Sequence, residues 1–165
     1  MNLIVADLKS IDPSLSSVNF VSDGAASQFK NRFILSSLVL AERDLGVKAQ
    51  WNFFPTSHGK SPADGLGGTF KRGVESRVLS GKFQVYTAKD FITCAKTFGK
   101  ETKLYCVSDD QMRSTTDELK KRWARSKALN GSRAMHHFQP SADGKCLIAA
   151  VTSKLDGRKF FKNID

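Results

Sequence analysis

Two aspartates stand in matching settings: Asp23 in SDGAASQFKNR, directly after the apolar run VNFV, and Asp64 in TSHGKSPADGLGGTFKR, soon after AQWNFF. In both places a strand-like run gives way to an acid, small residues and then a helical pattern. Paired carboxylates repel each other unless their charge is offset. A hard divalent ion such as Mg²⁺ or Mn²⁺ offsets it, because carboxylate oxygens replace part of its water shell. A metal held there could activate water and stabilise phosphoryl oxygens during transfer. An acid that directly follows a strand also lies at the carboxyl edge of a sheet, where open α/β folds place ligands. Each acid has a local reading too: Asp23 as a helix cap, and Asp64 as an acceptor for backbone donors at a glycine-rich turn.

The residues around the acids suit phosphate. Lys30 and Arg32 follow Asp23, while Lys60, Lys71 and Arg72 flank Asp64. Such side chains contact phosphate oxygens, although Lys71 and Arg72 are equally the wet side of a helix. His58 has the chemistry to orient or protonate a leaving group, or simply to hydrogen-bond its own loop. Farther along, TTDELKKRWARSKAL gathers Lys120, Lys121, Arg122, Arg125 and Lys127 around Trp123. That helix could track a phosphate backbone, cover an acidic neighbour or remain a solvated face. GLGG does not match the phosphate-loop pattern, and His136, His137 and Cys146 lack the spacing of a zinc site, so ordinary polar contacts are expected of them.

The elements that must position these residues alternate in type. Residues 2–9 read as a short helix or strand, and Pro13 marks a turn before a strand at 18–21. Helical spacing begins at Phe29 and continues through Leu45, with Gly46 as its stop. A strand is expected at 49–54, ended by Pro55, and a helix from Leu66 to Leu79 whose glycine-rich first turn suits close approach more than stability. FQVYT at 83–87 and KLYCV at 103–107 read as strands on either side of the helix AKDFITCAKTFG, for which Thr87 and Asp90 have capping spacing. Thr115 and Glu118 have capping-box spacing for the basic helix, and CLIAAV at 146–151 reads as a last apolar strand. Strands alternating with helices predict an α/β fold.

The whole chain is compatible with that. Its 165 residues are about one domain in size and are 40% hydrophobic, enough to bury a core. Twenty-six Lys and Arg against 16 Asp and Glu give a formal charge of +10, which favours a polyanionic partner over a neutral one. The three cysteines are widely spaced and odd in number, suiting buried thiols in a reduced compartment. No run reaches bilayer-spanning length, so no membrane partner is expected.

SDGAASQFKNR together with W-x-FF-x-TSHGK-x-x-x-DGLGG-x-x-KR resembles a block of transposase-derived proteins from invertebrate genomes. Through them it resembles the catalytic core of DDE/DDD transposases and retroviral integrases, a branch of the ribonuclease H-like fold. The likeness spans about residues 18–80, and is weaker around VYTAKDF and GSRAMHHFQP. It implies a partial or variant ribonuclease H-like sheet flanked by helices, in a chain that forms one α/β domain or domain fragment over 1–165. The core block would occupy 18–80, and a helix–strand extension carrying the basic helix would occupy 81–165. It further implies an ancestral Mg²⁺- or Mn²⁺-dependent DNA cleavage and strand transfer, a DNA partner and a nuclear location. Asp23 would take the second catalytic position, and Asp64 the third in place of the commoner glutamate. Lys71 and Arg72 would face DNA.

The front of the chain departs from that pattern. The family carries an aspartate on a first strand, followed by two more strands, before the position of Asp23, whereas 22 residues precede it here. Neither Asp7 nor Asp12 leaves room for that section. The expectation is an incomplete catalytic set, completed if at all by a homo-oligomer or by a chain supplying the front strands. Three functions stay open: a metal-dependent strand-transfer core, a noncatalytic nucleic-acid-binding derivative, and a protein-interaction module.

Overall fold

The structure of the protein, a computed structural model, describes residues 2–23, 29–54, 61–154 and 159–162. Its elements in chain order are α1 (Asn2–Ile11), β1 (Ser17–Ser22), α2 (Arg32–Val39), α3 (Ala41–Leu45), β2 (Lys48–Phe53), α4 (Pro62–Leu79), α5 (Ala88–Lys96), α6 (Asp109–Arg122), β3 (His137–Pro140), β4 (Cys146–Ala150) and β5 (Lys159–Lys162). The class is mixed α/β. The chain divides into two compact units, one of residues 1–58 with 118–165 and the other of residues 59–117.

The first unit is built on a five-stranded sheet in the order β1-β2-β3-β4-β5. β1 and β2 are parallel, which requires the long crossover that carries α2 and α3, and the remaining pairs are antiparallel. Alternation along β2 buries Ala49, Trp51 and Phe53 and leaves Lys48 exposed. These residues, with Phe138, Leu147 and Ala149, meet Leu35, Leu38 and Val39 of α2 and Ala41 of α3 in one core. The helix expected to run unbroken to Leu45 starts at the Asn31 cap, whose side chain accepts from the N–H groups of Phe33 and Ile34. It breaks at Leu40, whose torsions of −96° and 8° leave the helical region. Gly46 ends α3 at φ +63°, the left-handed stop read from sequence.

Aromatic side chains bind the carboxyl ends of β1 and β2 together. Phe20 and Trp51 lie 5.2 Å apart, Trp51 and Phe53 stack at 5.7 Å, and Phe53 meets Phe138 edge-on at 5.6 Å. The buried indole of Trp51 donates from Nε1 to Ser22 Oγ at 2.9 Å, and the Phe54 N–H donates to Ser22 O at 3.0 Å. Ser22, the residue before Asp23, is therefore held from two sides.

The second unit packs α4 against α5 around Phe70, Val74, Cys94 and Ala95. Two glycines permit that contact: a Cβ at Gly73 would lie 2.6 Å from the Phe98 ring, and one at Gly99 would overlap the Phe70 ring. FQVYT and KLYCV, expected as strands, join no sheet. Their alternation is nevertheless used, since Phe83, Val85 and Leu104 turn onto the helix pair. An apolar side chain every second residue fits any flat apolar surface, and here helices supply it. α4 starts at Pro62 and not at Leu66, because Ser61 and Asp64 form a capping box with proline at the first helical position. α6 starts at Asp109, well before Thr115: Ser108 Oγ accepts from the Gln111 N–H at 3.2 Å, and Gln111 Oε1 accepts from the Ser108 N–H at 2.9 Å. Of the three thiols only Cys94 is fully buried; Cys146 is half-buried and Cys106 exposed. No described helix is long and apolar enough to cross a membrane.

Candidate catalytic and nucleic-acid-binding residues

Asp23 follows the last residue of β1 directly and is exposed. β1 pairs with β2 in register from Ser17↔Lys48 to Ser22↔Phe53, so both strands deliver their carboxyl ends to one edge of the sheet. Asp23 thus stands at that edge, beside the point where the chain leaves β2.

Asp64 occupies the third position of α4. Its Oδ2 accepts from the Ser61 N–H at 2.8 Å and from Ser61 Oγ at 2.9 Å, and its own N–H closes the box on Ser61 Oγ at 3.4 Å. The backbone hydrogen bond from Ser61, with the hydroxyl adding to it, holds the Asp64 carboxyl below the ordinary carboxylate range. The local role weighed for this residue, satisfying donors at a helix start, is therefore met in the structure. Asp23 belongs to the first unit and Asp64 to the second. His58 and Lys60 lie outside the described residues.

The basic residues divide into those engaged by the chain's own groups and those turned out to solvent. Lys30 is buried, donating from Nζ to Arg133 O at 3.1 Å with the Phe53 ring centroid 4.9 Å away, and burial pulls its ammonium below the ordinary lysine range. Arg32 donates from its guanidinium to Ser126 O at 2.9 Å. Arg122 pairs with Asp44 at 2.7 Å and lies over the Trp123 ring. These three tie parts of the first unit together. Lys71 and Arg72 are exposed on α4, and Lys120, Lys121 and Arg125 are exposed at the end of α6 and just beyond it. α6 itself buries no residue. Trp123, which is buried, follows the last residue of α6.

His137 is 2% exposed, with Nδ1 2.7 Å from Asn52 Oδ1 and Nε2 3.0 Å from Gln139 Oε1. Asn52 donates in turn from Nδ2 to Asn19 Oδ1 at 2.6 Å. His136 places Nδ1 3.2 Å from Phe53 O. The two histidines thus make the ordinary polar contacts expected of them, and His137 does so within a row of amides across β1, β2 and β3 that the sequence analysis does not anticipate. The sequence carries part of its signal: His137 and Gln139 are two apart in one strand, as are Gln50 and Asn52 in another, so each pair shares a face. Among the described residues no three His, Cys, Asp or Glu side chains form a group able to hold a metal ion.

No curated protein matches the chain, and no solved structure does. A family model described as a domain of unknown function, DUF8701, matches residues 1–152, and the chain belongs to that family.

Proposed function

We propose that this chain is a DNA-binding fragment or derivative of a metal-dependent DDE/DDD transposase, with a variant ribonuclease H-like sheet and a nuclear site of action. The observation that carries the reading is Asp23, an exposed acid directly after β1 at the carboxyl edge of a parallel strand pair. The exposed cations Lys71, Arg72, Lys120, Lys121 and Arg125 and the formal charge of +10 support the DNA partner. In this reading Asp23 and Asp64 descend from carboxylate ligands of a Mg²⁺ or Mn²⁺ ion, which when bound supplies charge to offset developing charge on phosphoryl oxygens. The hydrogen bonds on Asp64 Oδ2 occupy one of the two oxygens that residue has to offer.

DNA binding is tested by fluorescence anisotropy on duplex DNA across a salt series. Affinity should fall steeply as salt rises, with little sequence preference, because each phosphate contact releases counterions. Joint replacement of Lys120, Lys121 and Arg125 by Gln should weaken binding and flatten the salt slope. Arg122 is left in place so that its pairing with Asp44 is kept. No binding at low salt, or an unchanged slope in the triple variant, would overturn the reading of that surface.

A second reading, a protein-interaction module, draws on the free edge of the sheet. Among the described residues β1 is the terminal strand, and Ser17, Asn19 and Val21 on it are exposed. The strand SVNFVS carries neither the lysine nor the proline that commonly blocks edge pairing. A further copy, or a chain supplying front strands, would pair there. Sedimentation of the pure protein, with and without Val21→Lys, separates self-association through that edge from none.

A further inference from the structure

FQVYT and KLYCV, the two segments that alternate like strands yet join no sheet, both belong to the second unit and turn one side onto the core of α4 and α5. Phe83 and Val85 pack inward while Gln84 and Tyr86 are exposed, and Leu104 packs inward between exposed Lys103 and Tyr105. Tyr86 and Tyr105 are the chain's only tyrosines. At 82% and 41% exposure they are also the only exposed aromatic residues among the described side chains, since each described phenylalanine and tryptophan is at least partly buried.

The backbone of Tyr86 is held on both sides. Val85 before it is anchored in the core, its own N–H donates to Asp90 Oδ2 at 3.2 Å, and Thr87 after it donates to the same oxygen and caps α5. A ring on a fixed backbone gives a partner a large flat face at low cost in conformational entropy. The surroundings are cationic: residues 82–105 carry Lys82, Lys89, Lys96, Lys100 and Lys103, all exposed, against Glu101 and Asp90, and Asp90 is engaged in the cap. Aromatic faces interleaved with lysines suit a chain of flat rings joined by phosphates. In a duplex each base face is covered by its neighbours, so only unpaired nucleotides present one to a protein ring. We infer that Tyr86, with Tyr105 as a second platform, stacks on the bases of single-stranded DNA while Lys82, Lys89 and Lys103 contact its phosphates. The inference rests on the DNA-binding reading proposed above and extends it from the duplex to unpaired strands.

The probes are a thymidine oligomer and a blunt DNA duplex of equal length, titrated into the full chain at low salt. Tyr86→Trp gives a direct readout, because Trp51 and Trp123 are buried. The introduced indole should be quenched saturably by the oligomer and left bright by the duplex. Tyr86→Ala should weaken the oligomer about tenfold, the worth of one base stack, and leave duplex affinity in place. Its thermal midpoint should match that of the unaltered chain, since the side chain is 82% exposed. Tyr86→Phe should keep the oligomer affinity, which a role for the hydroxyl would not allow. Joint replacement of Lys82 and Lys89 by Gln should flatten the salt dependence of oligomer binding. Unchanged oligomer affinity in Tyr86→Ala, equal quenching by the duplex, or a uridine oligomer bound more tightly than the thymidine one overturns this inference while duplex binding stands. Absence of binding to either DNA overturns it together with the broader reading.

Discussion

Asp64 shows how one side chain can carry both a structural and a chemical reading. Its oxygen closes a capping box with Ser61, and those hydrogen bonds lower its pKa from the ordinary 3.8. Because the folded value lies below the unfolded one, its contribution to stability is fully present above about pH 4 and is lost as pH falls through the folded value. A ¹³C titration of the Asp64 carboxyl should therefore give a midpoint under 3.8. A midpoint at or above it would mean the cap is not formed in solution. Asp64→Ala should lower Tm more than Asp64→Asn, since the amide oxygen can still accept from Ser61. The sequence offers Asp64 as an acceptor for nearby backbone donors, and the Ser61-Pro62-Ala63-Asp64 spacing carries the capping box that moves the helix start ahead of Leu66. Lys30 was not legible, because nothing in SQFKNR says that its ammonium will turn inward toward Arg133 O. Ser36 is likewise visible only in the fold: its hydroxyl is fully buried in α2 without a hydrogen-bond partner. Ser36→Ala should stabilise the protein by about 1 kcal/mol in urea unfolding, by removing an unsatisfied polar group and raising helix propensity.

Within α4 the glycines divide by position. Gly73 and Phe98 are in contact, so Gly73→Ala gains helix propensity but must displace a ring. Overpacking of that kind costs about 1–3 kcal/mol and should exceed the gain. Gly65 and Gly67 have nothing within 4 Å of where a Cβ would stand. Gly65→Ala and Gly67→Ala should therefore each stabilise α4 by about 1 kcal/mol. Thermal melts of the three variants test this, and a Gly73 variant as stable as the other two would disprove the packing of α4 on α5. The sequence made the glycines conspicuous and suggested close approach for the GLGG turn. The chain itself makes no close approach at Gly65 or Gly67 and makes one at Gly73. If the open pair accommodates a DNA backbone, the two stabilising variants should also bind duplex DNA more weakly, with anisotropy as the measurement. FQVYT and KLYCV alternate as strands do, but a period of two records which side chains are buried and not whether a neighbouring strand exists.

For the whole molecule, the proposed ancestry predicts binding without efficient chemistry. Phosphoryl transfer needs metals held in a fixed geometry, and a loosely held shell loses transition-state stabilisation before it loses charge-driven affinity. Labelled terminal DNA with Mg²⁺ or Mn²⁺ should show little or no nicking by this chain, with Asp23→Asn and Asp64→Asn as controls against a contaminating nuclease. Robust cleavage abolished by both substitutions would overturn that prediction and give both carboxylates a catalytic role. What the sequence determined by itself was local: the runs that became β1, β2 and β4, the stop at Gly46, the caps at Thr87 and Asp90, and Asp23 at a strand end. Each of these depends on contacts between residues a few positions apart, or on one strand's own alternation. Only the tertiary structure decided that β1 and β2 lie side by side and parallel, that β3 continues the sheet from β2, and that His137 lies between the amides of Asn52 and Gln139. The physical reason is that strand order and burial are set by free-energy differences between contacts 31 to 87 positions apart. No pattern within a single run records which distant partner will complete it.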